Sequence, residues 1–168
     1  MENKSIFGAE VLKELEVEAT ATRKCLEVIP ENLFDWKPHE RSMSLGDLSL
    51  LVAEMPKWIQ VMIEESEVDF GTYEHFRAKD TAELVKHFDE NLEGAKNALQ
   101  NVSDETFDEP FHLKNNGQIV LIASKKDQIS DIVNHLVHHR GQLTVFMRLK
   151  DIPVPSIYGP SADDPGSF

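Results

Sequence analysis

The 168-residue sequence predicts an all-α fold, a four-helix bundle, on three observations. Four stretches place apolar residues at alternating spacings of three and four, the seam of a helix that buries one face. Capping residues or proline punctuate those stretches. The length is one domain's worth, and 40% apolar content is enough for one sizeable core.

The first predicted helix covers about residues 5–29, with Leu12, Leu15, Ala19, Thr22, Leu26 and Ile29 as its seam, and Pro30 stops it. The second covers about residues 45–65, with Leu48, Leu51, Met55, Ile59 and Met62. Ser44 and Asp47 resemble a capping box at its start, and Pro56 predicts a kink or a split. The third covers about residues 81–101, capped by Asp80 with Glu83, and carries Leu84, Phe88, Leu92, Ala95, Leu99 and Val102. The fourth covers about residues 125–150 behind Ser124, with Ile129, Ile132, Leu136, His139, Leu143 and Phe146. That seam puts a histidine in a core position.

Between the third and fourth helices, Asn116-Gly117 separates two short apolar runs, which predicts a small β-hairpin or an extended loop. The tail from about residue 153 is rich in Pro, Gly, Ser and Asp and reads as irregular. The whole chain, 1–168, is read as one domain.

A net charge of −13 argues against a nucleic-acid partner, whose binding rests on Lys and Arg neutralising phosphates. The same charge disfavours an anionic membrane surface, and no apolar run reaches the length of a membrane span. Cys25 is the single cysteine, so no intrachain disulfide forms. The N-terminus lacks the apolar run of a signal peptide. The expected location is the cytoplasm.

His135 and His139 stand four apart on the fourth helix and share one face. Two neutral imidazoles at that spacing can donate to one metal ion. They can equally be core histidines with hydrogen-bonded nitrogens. Gln142 continues the edge, and His138 is rotated toward solvent or a partner. His39, His75, His87 and His112 read as surface residues, and Cys25 as a buried inert thiol. Trp36 and Trp58 read as core or interface volume. Arg140 reads as a surface or dimer salt bridge, and Gly141 as a point of close approach.

The segment from Asn134 to Leu143 resembles the fourth-helix signature of the DinB/YfiT-like proteins. The tail from Asp151 to Asp163 is similar to that family's tail, and Trp36 to Gly46 to its lead into the second helix. The resemblance implies a DinB-like four-helix bundle, often dimeric, with three histidines holding a divalent metal such as Ni, Zn or Fe. Two of those histidines fall on His135 and His139. The third belongs to a Leu-Ala-x-His-x-Ala-Glu stretch, which here reads Leu48-Ser49-Leu50-Leu51-Val52-Ala53-Glu54. Leucine at position 51 cannot ligate. Either the metal is lost or weakly bound and Leu51 packs against the pair, or Glu54 or Asp47 substitutes.

Three functions follow. One is a divalent-metal-dependent, thiol-dependent transferase or hydrolase with a degenerate site. The alternative is a non-catalytic bundle that binds a small ligand or a protein in the cleft vacated by the metal, with Leu51 and Gln142 in the pocket. Direct DNA association is disfavoured by charge. A homodimer is implied by the resemblance alone.

Overall fold

The computed structural model describes residues 5–166. The last two residues of the predicted irregular tail, 167 and 168, lie outside that range. Helix α1 (Ile6–Leu26), α2 (Leu45–Glu64), α3 (Thr81–Asn101) and α5 (Lys125–Leu149) are the four long helices, and α4 (Asp104–Asp108) is a short extra one.

Each long helix begins on a side chain that takes up an otherwise unpaired backbone N–H. Ser5 accepts from Gly8, Ser44 from Asp47, Asp80 from Glu83 and Ser124 from Asp127. Such caps are worth about 1 kcal/mol each. Gly46 lies under Phe34, where an added Cβ would come within 2.9 Å of the Phe34 Cβ, so glycine lets α2 start against the preceding connection.

Helix α2 packs chiefly on α3 and α5, and α1 packs on the same two helices. The bundle therefore places α1 diagonally from α2. Of the kink or split expected at Pro56, the split does not occur: α2 runs as one helix through it. Proline removes one intrahelical donor, and buried Asn91 on α3 donates its Nδ2 to the Ala53 carbonyl at 3.0 Å beside that point.

The fold is not purely helical. The predicted hairpin forms as β2 (Pro110–Asn115) and β3 (Gln118–Ser124), turning through Asn116 and Gly117 at positive φ. A third strand, β1 (Glu67–Asp69), pairs parallel to β2, which makes a three-stranded sheet in the order β1-β2-β3. The all-α expectation is corrected on this point. The cause is the Asp69 carboxylate, which accepts from the backbone N–H of Gly71 at 2.8 Å, Asn116 at 2.8 Å and Gly117 at 2.6 Å. One side chain thus ties β1 to the turn of a hairpin more than forty residues away.

Those bonds, led by Gly117, hold the Asp69 carboxyl below the usual carboxylate range. A folded value below the unfolded one stabilises the protein above the ordinary carboxylate range, and the contribution fades as pH falls through the folded value. Asp69→Asn is therefore expected to unfold more readily than wild type at neutral pH, with the gap closing in acid. Urea midpoints measured from pH 7 downward check this, and a gap independent of pH would remove Asp69 from that role.

The core stripe of α5 also differs from its sequence reading. Beyond its first turn the buried residues are Ile129, Val133, Leu136, Arg140, Leu143 and Met147, again alternating by four and three. Ile132, His139 and Phe146 are half-buried along the edge of that stripe. The core position assigned to His139 belongs to Arg140.

Arg140 is 1% exposed, not a surface residue. Its guanidinium donates to the Glu18 carbonyl at 3.0 Å, to Thr22 Oγ1 at 3.1 Å and to the Tyr158 hydroxyl at 2.9 Å, and pairs with the Glu18 carboxylate at 2.5 Å. The Tyr158 hydroxyl donates to that same carboxylate at 3.0 Å. Arg148 also pairs with Asp163. The irregular tail is therefore fastened to α1 and α5 by side chains.

Cys25 is fully buried nearby, and burial pushes its thiol up to about 11. At neutral pH it stays a protonated, weakly nucleophilic thiol. Gly141 has no neighbour within 4 Å of an added Cβ, so the expected close approach does not occur within the described residues of this chain.

Candidate functional site

A cavity of about 430 Å³ opens between α2, α5 and the sheet. Helix α2 contributes Leu51, Glu54, Met55, Trp58 and Met62 at helical spacing, all on one face. Helix α5 contributes Gln128, Asp131, Ile132 and His135. Leu113 of β2, Leu121 of β3 and Phe70 and His75 from the β1–α3 connection complete the wall. Its surface is mainly apolar, with a few polar groups, the usual make-up of a small-molecule site. A larger groove between α1 and α3 is spanned by the exposed Arg23–Asp89 ion pair and gathers no comparable chemistry.

Leu51 and His135 line the same cavity. His135 is exposed and His139 half-buried; neither is a core residue. Their Nε2 atoms stand 2.7 Å apart. His139 Nδ1 lies 2.8 Å from Gln142 Oε1, and Gln142 Nε2 lies 3.0 Å from His138 Nε2. Gln142 Oε1 can only accept, so Nδ1 of a neutral His139 carries the proton and its Nε2 accepts from His135. The result is a hydrogen-bonded chain, His135 to His139 to Gln142 to His138, along the edge of α5. Partial desolvation against the cavity wall, and then the neighbouring His139 and His138, push the His135 imidazole below its ordinary value.

His139 faces a second depression with Met43, Leu48 and Gln142. The two candidate substitutes for a third ligand lie apart from each other. Asp47 is exposed and lines a different hollow beside Phe34 and Arg77. Glu54 is 2% exposed and shares the cavity with His135. It is engaged elsewhere: Oε2 is 3.3 Å from His75 Nδ1, and Oε1 is 3.5 Å from His87 Nε2. Among the described residues, no three His, Cys, Asp or Glu side chains are arranged to hold a metal ion. The donor set fits the two-imidazole half of the site that the resemblance implies, and does not complete it.

Two histidines read from sequence as surface residues belong to this region. His75 is exposed, as read, and lines the cavity; the His87 side chain is only 12% exposed, stacked on Phe76 with ring centres 4.1 Å apart. A signal for His87 was present. Leu84, His87, Asn91, Ala95 and Ala98 repeat by three and four along the flank of the α3 seam. The rings of Phe70, Trp58, Tyr73 and His75 follow one another at centre distances of 5.4, 4.6 and 5.0 Å, forming an aromatic ridge at the cavity.

A helical bundle with a side sheet and a cavity on its α2–α5 face defines the class. The family model of the DinB family matches residues 1–166, and the chain belongs to that family. A DinB-like protein from Bacillus cereus superposes with a TM-score of 0.69 at 19% identity, covering 92% of this chain and 99% of that one. A DinB-like protein from Bacillus subtilis gives 0.66 at 19% identity, covering 86% and 96%. At these identities the likeness is one of fold. The Bacillus subtilis protein YrdA is 46% identical over 37 residues, which spans 22% of each chain. No helix among the described residues is long and apolar enough to cross a membrane.

Proposed function

We propose that this DinB-family chain binds a small organic molecule in the α2–α5 cavity, and that Leu51 marks a site whose metal chemistry is weakened or lost. The observation that carries this is the cavity itself: about 430 Å³, walled by Leu51, Met55, Trp58, Met62 and Ile132, with polar groups only at separate points. Aliphatic and aromatic walls favour an apolar ligand body by removing its surface from water. Glu54, Gln128 and His135 supply orientation.

A neutral probe tests this without prejudging charge. Titrating 2-phenylethanol into the 15N-labelled chain is expected to shift amides of α2, β3 and α5 around the cavity while those of the α1–α3 groove stay fixed. Shifts confined to other surfaces, or none at millimolar probe, would overturn the reading.

A second reading has one specific observation in its favour. The convergence of His135 and His139 Nε2 supports a divalent-metal, thiol-dependent transferase or hydrolase. In that reading the two imidazoles hold the ion weakly, and a bound ion supplies Lewis-acid polarisation. Leu51 at the third position weighs against it.

A further inference from the structure

We propose that Asn116-Gly117 is a site of spontaneous covalent modification, deamidation through a cyclic imide, and that the Asp69 side chain is the lock that restrains it.

The reaction needs a side-chain amide next to a backbone nitrogen that can attack it. Asn116 and Gly117 are the two central residues of the hairpin turn, since Asn115 pairs with Gln118. Both are exposed, so water reaches them. Glycine puts no side chain in the way of attack, and nothing lies within 4 Å of where a Cβ of Gly117 would stand. No other asparagine of the sequence precedes a glycine. In the first step Gly117 N loses its proton and bonds to Asn116 Cγ. The Cγ–Nδ2 bond breaks, and Nδ2 leaves as ammonia, carrying that proton. Water then opens the five-membered imide at either carbonyl. One opening gives aspartate, and the other gives isoaspartate, whose main chain runs through the former side chain. Water is the sole co-reactant.

The folded turn opposes the first step. Gly117 N–H donates to Asp69 Oδ2 at 2.6 Å, and Asn116 N–H donates to Asp69 Oδ1 at 2.8 Å. Two successive peptide groups are thus held toward one carboxylate, with Asn116 at φ 50° and Gly117 at φ 79°. Gly117 N must surrender its bond before it turns onto Asn116 Cγ. The opposite role, a base that takes the Gly117 proton, suits Asp69 poorly. The same bonds hold its carboxyl below the usual carboxylate range, which makes it a weak base.

The product acts back on the lock. Either opening of the imide leaves a second carboxylate in the turn that Asp69 grips, and like charges there repel. Strand β1 is three residues long and relies on that grip, together with the Phe70 N–H that donates to the Lys114 carbonyl at 2.9 Å. Deamidation therefore loosens β1 and Phe70 from the hairpin.

Peptide mapping by mass spectrometry follows ammonia loss at Asn116 in the full chain held in mildly alkaline buffer. Asp69→Ala is expected to deamidate about tenfold faster than wild type or more, the equilibrium worth of hydrogen bonds to a charged acceptor. Arg140→Met lowers global stability without touching the turn and is expected to keep the wild-type rate, which separates local release from unfolding. Wild type unfolded in urea supplies the unlocked rate even if Asp69→Ala does not fold, and it is expected to exceed the native rate by at least the same factor. Native wild type as fast as the unfolded chain, Asp69→Ala no faster than wild type, or Arg140→Met as fast as Asp69→Ala would overturn the lock. Deamidated wild type, separated by its extra negative charge, is expected to exchange the Phe70 amide hydrogen faster than the intact chain. An unchanged Phe70 amide would overturn the loosening of β1.

Discussion

Replacing Arg140 by methionine is expected to lower the free energy of unfolding by about 3–5 kcal/mol, the usual cost of removing one partner from a buried ion pair. The length of methionine keeps most of the volume, so the loss is electrostatic rather than a cavity effect. What remains is the Glu18 carboxylate, with its side chain 9% exposed and only the Tyr158 hydroxyl donating to it. The Glu18 carbonyl and Thr22 Oγ1 each lose a donor as well. Urea denaturation of the single variant and of Glu18→Gln with Arg140→Met measures the coupling. The double variant should be more stable than the sum of the single losses predicts, because neutralising Glu18 removes the stranded charge. A single variant within about 1 kcal/mol of wild type would place the pair among ion pairs of little net worth.

Introducing histidine at position 51 is expected to raise affinity for Ni²⁺ or Zn²⁺ by more than the roughly 10–100-fold that outer-sphere partners of metal ligands contribute. Position 51 lies on the wall shared with His135, and His135 already meets His139 nitrogen to nitrogen. A third imidazole from α2 would supply the missing donor from a facing helix, the arrangement used by metal sites in bundle cores. Metal titration of wild type, Leu51→His and Leu51→His with His139→Ala tests this. The gain should appear in the first variant and disappear in the second. Wild type binding as tightly as Leu51→His would mean that another side chain completes the site, with Glu54 the first to replace.

Helix extents were legible because their signals are local. A serine or aspartate cap and the 3–4 seam that follows lie within a few residues of one another. The hairpin was legible for the same reason, from Asn116-Gly117. Strand β1 was not, since it is three residues long and exists through Asp69, whose partners Asn116 and Gly117 are distant in sequence. On α5 the seams 129-132-136-139-143-146 and 129-133-136-140-143-147 share half their members. Preferring the first placed a histidine in the core and left the buried arginine on the surface. Charge made Arg140 look unsuitable for burial, and its partners Glu18 and Tyr158 could not be seen from spacing. Position 51 was legible as a departure only through the resemblance, whereas the pairing of Glu54 with His75 depends on where the β1–α3 connection runs, and its approach to His87 on how α3 packs against α2.

The last fourteen described residues carry no regular structure, yet one hydroxyl in them, that of Tyr158, reaches a carboxylate on the first helix. A chain clipped before that tyrosine would keep every helix intact on paper. It would nevertheless leave the first and last long helices joined by a less satisfied charge pair. The two ends of the polypeptide are thus thermodynamically linked, and shapelessness in this tail is no licence to trim it.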